Sequence, residues 1–392
     1  MNQTAPAPTA SVTLQIIAIV FYTFIAFFSI GLPIAVLPGY VHDQLGFSAL
    51  TAGLVIGVQY LATLLSRPTA GRMADGLGTK RTIVYGLSGI GISGLLTLIA
   101  MLLQDVPQWS LGVLLAGRVM LGLSQGLIGV GTISWGIGQV GAEHTAKVIS
   151  WNGIASYGAI AIGAPLGVLL ISTVGFWALG VALMILAALG LAVIRNKTSA
   201  PIVRGERMPF WAAFGRVAPY GVSLMLASIG YGTLTTFITL YYVDRGWDGA
   251  AYCLTAFGAS FIVARLLFIN TINHFGGFSV ALGCMAIETL GLSLLWLAPS
   301  TAFTLIGAGL AGFGLSLVYP ALGVVAIKQV PSASRGAGLS AFAVFFDMAL
   351  AVAGPLMGAV ASNLGYTWIF CFAALLSVAA LGLTWQLSRR SH

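Results

Sequence analysis

The sequence predicts an all-α polytopic membrane protein: twelve transmembrane helices in two pseudo-symmetric six-helix bundles, with both termini cytoplasmic. Three observations carry this. First, of 392 residues 58% are hydrophobic and 7% charged, and the mean hydropathy is +1.00. A soluble domain carries about 25% charged residues, so this composition excludes a soluble enzyme, a disordered chain and a disulfide-stapled module. Second, the apolar residues fall into twelve long runs. Third, the basic residues alternate with those runs so that nearly all fall on one side.

The runs lie at 13–38, 48–70, 82–103, 109–138, 148–171, 175–195, 217–243, 250–270, 278–298, 302–327, 337–361 and 366–387. All reach the roughly 20 residues that a helix needs to cross the hydrocarbon core. They are too long and continuous for barrel strands, which alternate over about ten residues. Helices satisfy their own backbone in lipid. The opening MNQTAPAPTA lacks a basic stretch and a cleavage site, so residues 1–12 are expected to be a disordered cytoplasmic tail rather than a signal peptide. Residues 13–195 form the expected first bundle, 196–216 a polar cytoplasmic linker, 217–387 the second bundle and 388–392 a cytoplasmic tail. With the N-terminus inside, fifteen of the 17 Lys and Arg fall in or beside cytoplasmic segments, while Arg245 falls outside and Arg118 lies deep within a span. That is the positive-inside pattern sustained through all twelve runs, and it accounts for the net charge of +8 without nucleic acid. Cys253, Cys284 and Cys371 lie in apolar runs and suggest neither a disulfide framework nor a metal site. No cofactor is expected.

The chain repeats itself. SRPTAGRMADGLG (66–78) returns as ARLLFINTINHFG (264–276), displaced by 198 residues, with Arg67 matching Arg265, Asp75 matching Asn273 and Gly78 matching Gly276. Gln139-Val140 and Pro165 match Gln329-Val330 and Pro355 at a displacement of 190. Two homologous halves with a site at their interface are a known transporter plan.

The loop GRMADGLGTKR resembles the signature between the second and third helices of the major facilitator superfamily, with Gly71, Asp75, Gly78, Lys80 and Arg81 at its positions. GRVMLGLSQG (117–126) resembles the fourth-helix arginine signature of that superfamily. GAIAIGAPLG (158–167) resembles its fifth-helix antiporter motif, with Gly158, Gly163, Pro165 and Gly167. Ala164 stands where the motif has glycine before the proline, which weakens the inference of antiport. Runs such as LPGYVHDQLGFSA, VISWNG, FITLYYVDRGWDGAA and YPALGVVA are similar to a bacterial inner-membrane branch of YhhS type, assigned mainly as efflux permeases. The resemblance implies the major facilitator fold, a multi-pass protein of the inner membrane, a monomer, and alternating access. It also implies that Gly71, Arg72, Asp75, Gly78, Lys80 and Arg81 latch the halves on the cytoplasmic side in the outward-facing state. A tight turn with positive-inside charges is the plainer reading of the same loop. The fifth-helix glycines read equally as close packing or as a rocking element.

Three ionisable residues stand about nine or ten residues into their runs: Arg118, Glu288 and Asp347. At 1.5 Å per residue each is roughly 15 Å deep, where a charge costs about 2.5–3.5 kcal/mol on insertion scales. Arg118 stays charged when buried and suits an anion on the substrate, or Asp347. Its face continues through Gly122, Gln125 and Gly129. Asp347 is the first candidate for a proton-coupling carboxylate. Glu288 is the second, with a structural interhelical role as its alternative. Gln59, Tyr22, Asn152, Tyr157, Tyr231, Thr235, Tyr319 and Phe346 supply candidate substrate contacts, because aromatic walls with few polar points suit small molecules. Tyr231, Thr235, Thr239 and Tyr242 share one helical face, and for Tyr241 and Tyr242 an interfacial belt is the competing reading.

These features point to proton-coupled efflux of a small organic molecule, with proton-coupled uptake of a sugar or other nutrient as the alternative. The partners are then the substrate, protons and lipid. GLSG (86–89) matches the context of an intramembrane serine protease, but all four histidines lie in loops or tails, away from any membrane base. No nucleotide-binding loop is present to drive pumping.

Overall fold

The computed structural model describes residues 9–141, 144–198, 210–268, 271–330 and 335–390. Among them are twelve helices long and apolar enough to cross a membrane. They are α1 (Thr9–Ile34), α2 (Ala49–Gly76), α3 (Thr79–Leu102), α4 (Pro107–Val140), α5 (Thr145–Thr173), α6 (Trp177–Arg195), α7 (Phe210–Asp244), α8 (Ala251–Phe268), α9 (Gly277–Trp296), α10 (Thr301–Ile327), α11 (Arg335–Leu364) and α12 (Tyr366–Arg390). The described residues contain no strand. Large apolar side chains such as Leu14, Leu65, Ile185 and Leu290 are exposed on the outer surfaces of these helices, as a lipid-facing protein requires.

Local chemistry sets the ends. The Ser48 hydroxyl accepts the Thr51 amide at 3.2 Å and caps α2. Gly78 and Gly276 open α3 and α9 with φ of 91° and 79°, a region closed to most side chains. They are the repeat-matched pair, so the internal repeat is also a repeat of backbone conformation.

Helices extend past the apolar runs because a helix satisfies its own backbone in water as well as in lipid. Thus α1 begins at Thr9, inside the expected tail, and α12 runs to Arg390. Likewise α7 begins at Phe210 and takes the last residues of the expected linker, and Phe214 there stacks on Phe345 at 4.7 Å.

The two halves, α1–α6 and α7–α12, meet chiefly along α2 with α11 and α5 with α8. Gly53 and Gly354 bring the outer parts of α2 and α11 into backbone contact, where a side chain on either would strike the other's carbonyl. One turn further out, a Cβ on Gly358 would lie 2.9 Å from Leu50 Cα. The Thr239 hydroxyl of α7 donates to the Ala35 carbonyl after α1 at 2.6 Å. These contacts close the halves against each other on the side assigned to the outside.

Candidate transport site between the two halves

The one ion pair among the described residues crosses the boundary between halves. Arg67 of α2 holds Asp347 of α11 with both arms of its fork, Nε donating to Oδ2 and Nη2 to Oδ1, the latter at 3.0 Å. Bidentate geometry of this kind strengthens and orients a charge pair. The Arg67 side chain is 25% exposed and Asp347 only 6%. Along α2 the pair lies inward of Gly53 and Gly57, on the cytoplasmic side of the tight contact.

This arrangement answers one question the sequence left open. Asp347 is served by Arg67 and not by Arg118. Sequence reasoning had counted Arg67 only among the positive-inside residues, although its match to Arg265 in the repeat was a signal that the position mattered. Arg118 is 2% exposed within the first half, near Tyr60, and its Nε and Nη2 have no hydrogen-bond partner. Its stripe leads to Gln125, whose Oε1 accepts from Gln59 Nε2 at 3.3 Å and from the Thr63 hydroxyl at 3.2 Å.

The aromatic wall is assembled across both halves. Tyr157 of α5 stacks on Phe261 of α8 with ring centroids 3.6 Å apart, and stands 5.5 Å from Tyr231. Tyr231 continues to Phe257 at 4.9 Å and to Phe346 at 6.3 Å, and Phe346 to Tyr319 at 6.4 Å. Tyr157, Tyr319 and Phe346 are half-buried and face the space between halves, whereas Tyr231 is buried behind them. Tyr319 lies within electrostatic reach of Arg67, Asp347 and Arg265.

Other expected residues lie elsewhere. Tyr22 stacks on Trp135 at 5.9 Å inside the first half, beside a cavity of about 110 Å³ shared with Gln139 and Lys197. Asn152 accepts the Thr23 hydroxyl at 2.6 Å, between α5 and α1. The Thr235 hydroxyl donates to the Tyr231 and Gly232 carbonyls of its own helix, which removes it from the wall. Tyr242 donates or accepts with Thr304 and Cys253 inside the second half. Tyr241 donates to the Leu295 carbonyl at 3.0 Å. Both tyrosines are buried, so neither a cavity wall nor an interfacial belt describes them. Glu288 is 1% exposed among α7, α9 and α10, with Oε2 unpartnered, and remains within the second half.

Of the expected latch, Gly71, Arg72, Gly78, Lys80 and Arg81 are described, while the Asp75 side chain lies outside the described residues. Lys80 donates to the Arg195 and Lys197 carbonyls at 3.0 and 2.6 Å, capping the end of α6 in its own half. The fifth-helix motif makes close contacts, which suit packing and rocking alike. Gly163 rests on Gly31 of α1, and Gly167 lies so near the Leu32 carbonyl that only glycine fits. Gly158 faces Ile262 of α8 at the boundary between halves, and Pro165 sits within the helix. Ser88 of the GLSG string is exposed on α3. At the outer end His42 Nδ1 is engaged with the Phe47 carbonyl at 2.7 Å.

A twelve-helix bundle in two matched halves, with a charged and aromatic boundary between them, has the architecture of a membrane transporter. The Major Facilitator Superfamily model matches residues 19–278 and 249–392, and the chain belongs to that family. It is 55% identical over 395 residues to an uncharacterized MFS-type transporter of Pseudomonas aeruginosa, covering 100% of this chain and 98% of the relative. A second such transporter, from Burkholderia mallei, is 52% identical over 386 residues, covering 98% and 95%. Among solved structures it resembles the nucleoside transporter NupG, with a TM-score of 0.73, 17% identity, and 96% and 99% of the two chains covered. The human organic anion transporter MFSD10 (TETRAN) aligns with a TM-score of 0.69 and 14% identity over 95% and 99%. Likenesses at that level of identity concern the fold alone. The protein is a multi-pass membrane transporter and not an enzyme.

Proposed function

We propose that the chain is a proton-coupled antiporter, which exports a small organic molecule across the inner membrane as a monomer. The observation that carries the reading is the Arg67–Asp347 pair, a carboxylate held by an arginine of the opposite half. In the cytoplasm-facing arrangement Asp347 has given up its proton and binds Arg67. Cargo enters from the cytoplasm onto the aromatic wall of Tyr157, Tyr319 and Phe346. Rocking opens the outer seal at Gly53, Gly354 and Thr239, and a proton from outside neutralises Asp347. Neutral Asp347 loses its charge attraction to Arg67, so the empty carrier returns and the proton leaves inward. The loop from Gly71 to Arg81 closes the cytoplasmic side in the outward-facing state. The direction follows the resemblance of LPGYVHDQLGFSA and its companion runs to the exporter branch.

The test is the internal pH of proteoliposomes on adding a panel of candidate solutes, with wild type beside Asp347→Asn. Solute-driven proton movement in wild type and its loss in the variant support the reading, and the sign of the pH change separates export by antiport from uptake by symport. Proton movement that survives in Asp347→Asn removes Asp347 from the coupling step.

A further inference from the structure

The two displacements of the internal repeat locate a second arginine site. The shift of 198 residues carries Arg67 of α2 to Arg265 of α8, and the shift of 190 that carries Pro165 to Pro355 carries Tyr157 of α5 to Asp347 of α11. The helix pairs α2–α11 and α8–α5 are the matching contacts between halves. The fold therefore builds the same arginine station twice. At one station the opposite half answers with a carboxylate, and at the other with a tyrosine.

Arg265 is 6% exposed, which is unusual for a cation without a carboxylate. Its Nη2 donates to the Ser316 carbonyl of α10 at 2.6 Å, and its guanidinium lies 4.9 Å over the Phe261 ring. Its Nε is buried without a partner. Gly153 of α5 makes room for it, since a Cβ there would stand 2.5 Å from Nη1. Beside it are Tyr157 and Tyr319, both half-buried toward the space between halves. An arginine keeps its charge when buried, and an uncompensated charge inside a membrane protein marks a substrate or ion pathway. Arg118 also has unpartnered N–H groups, beside Tyr60, but Arg265 is the arginine that packs against Gly153 of the opposite half.

We infer that Arg265 receives the anionic group of the cargo, which takes the place that Asp347 fills for Arg67, and that the cargo is a small organic acid whose aromatic ring lies on Tyr157, Tyr319 and Phe346. This rests on the reading that cargo binds between the halves, and it holds whether or not Asp347 carries the proton.

The test is equilibrium binding to the purified full chain in nanodiscs without any pH gradient, so coupling does not enter. The probes are benzoate, 2-naphthoate and 2-naphthalenesulfonate, each against a neutral counterpart (benzyl alcohol for benzoate, 2-naphthalenemethanol for the naphthalene acids). Wild type is expected to bind at least one acid tenfold or more tighter than its neutral counterpart. Arg265→Gln brings the acid down to the level of the alcohol while alcohol binding persists, which also reports that the variant is folded. Arg265→Lys retains part of the preference. Gly153→Leu, with Arg265 intact but displaced, loses the preference too and carries the test if Arg265→Gln does not fold. The inference is overturned if wild type binds no acid better than its neutral counterpart, or if a folded Arg265→Gln or Gly153→Leu variant keeps the preference. Loss of proton movement in Asp347→Asn alongside unchanged acid binding would separate the coupling step from this site.

Discussion

Two buried carboxylates with similar sequence surroundings differ in their neighbours. Asp347 meets a forked arginine from the other half, while Glu288 is buried among helices of one half with an oxygen unpartnered. Removing one member of a buried pair leaves an uncompensated charge, at a cost of about 3–5 kcal/mol when burial is complete. The partial exposure of Arg67 lowers that figure by solvent screening. Arg67→Gln and Asp347→Asn are each expected to lower the melting temperature of the purified protein. The double variant is expected to cost less than the sum, with a coupling of about 0.5–3 kcal/mol in a double-mutant cycle. Additive losses would mean that the pair contributes nothing as a pair. Glu288→Gln replaces a lone carboxylate by a neutral isostere, so it should fold with an equal or higher melting temperature and keep solute-driven proton movement. Loss of that movement would transfer the coupling role to Glu288.

At the scale of elements, close glycine contacts divide into those inside a half and those between halves. Gly167 lets α5 lie on the backbone of α1 within the first half. Gly53 and Gly354 let α2 and α11 touch across the boundary on the outer side. Overpacking a fitted contact costs about 1–3 kcal/mol, but the two costs fall on different equilibria. Gly167→Val is expected to lower thermal stability, because no alternative state relieves it. Gly354→Val is expected to leave the fold intact and push the carrier toward its outward-open state. A cysteine at Ala35 should then react faster with an impermeant maleimide added from outside than the same cysteine in the parent. Equal labelling rates would show that the glycine contact does not hold the outer side shut.

For the whole molecule, the proposed rocking mechanism demands that the outer seal open in every cycle. Thr239 and Ala35 come together there across the halves. A short bifunctional cross-link between cysteines at these two positions should stop solute exchange in proteoliposomes, and a cleavable linker should restore it on reduction. Exchange that continues through the cross-linked carrier would exclude rocking about this boundary.

Much of this molecule was written along the chain. Composition and the length of apolar runs determined a membrane protein of twelve spans, because the cost of polar groups in lipid acts residue by residue. The one-sided placement of Lys and Arg determined its orientation, and the loop from Gly71 to Arg81 its family. Tyr157, Tyr319 and Phe346 stood among the candidate contacts as aromatic residues of three different runs, but their meeting across the halves was not legible. Nor was it legible which charges meet. Arg67 and Asp347 stand 280 residues apart, on helices of different halves, and nothing local distinguishes Arg67 from the other basic residues of the cytoplasmic side. Thr235 and Tyr242 read as polar points on one helical face until packing turned their hydroxyls onto backbone and neighbouring side chains. Hydropathy and charge placement are properties of each segment alone, so the sequence by itself determined the spans and their direction. Pairing is a property of two faces brought together, and only the tertiary structure decided that Arg67 meets a carboxylate and that Arg265 meets a carbonyl and an aromatic ring instead.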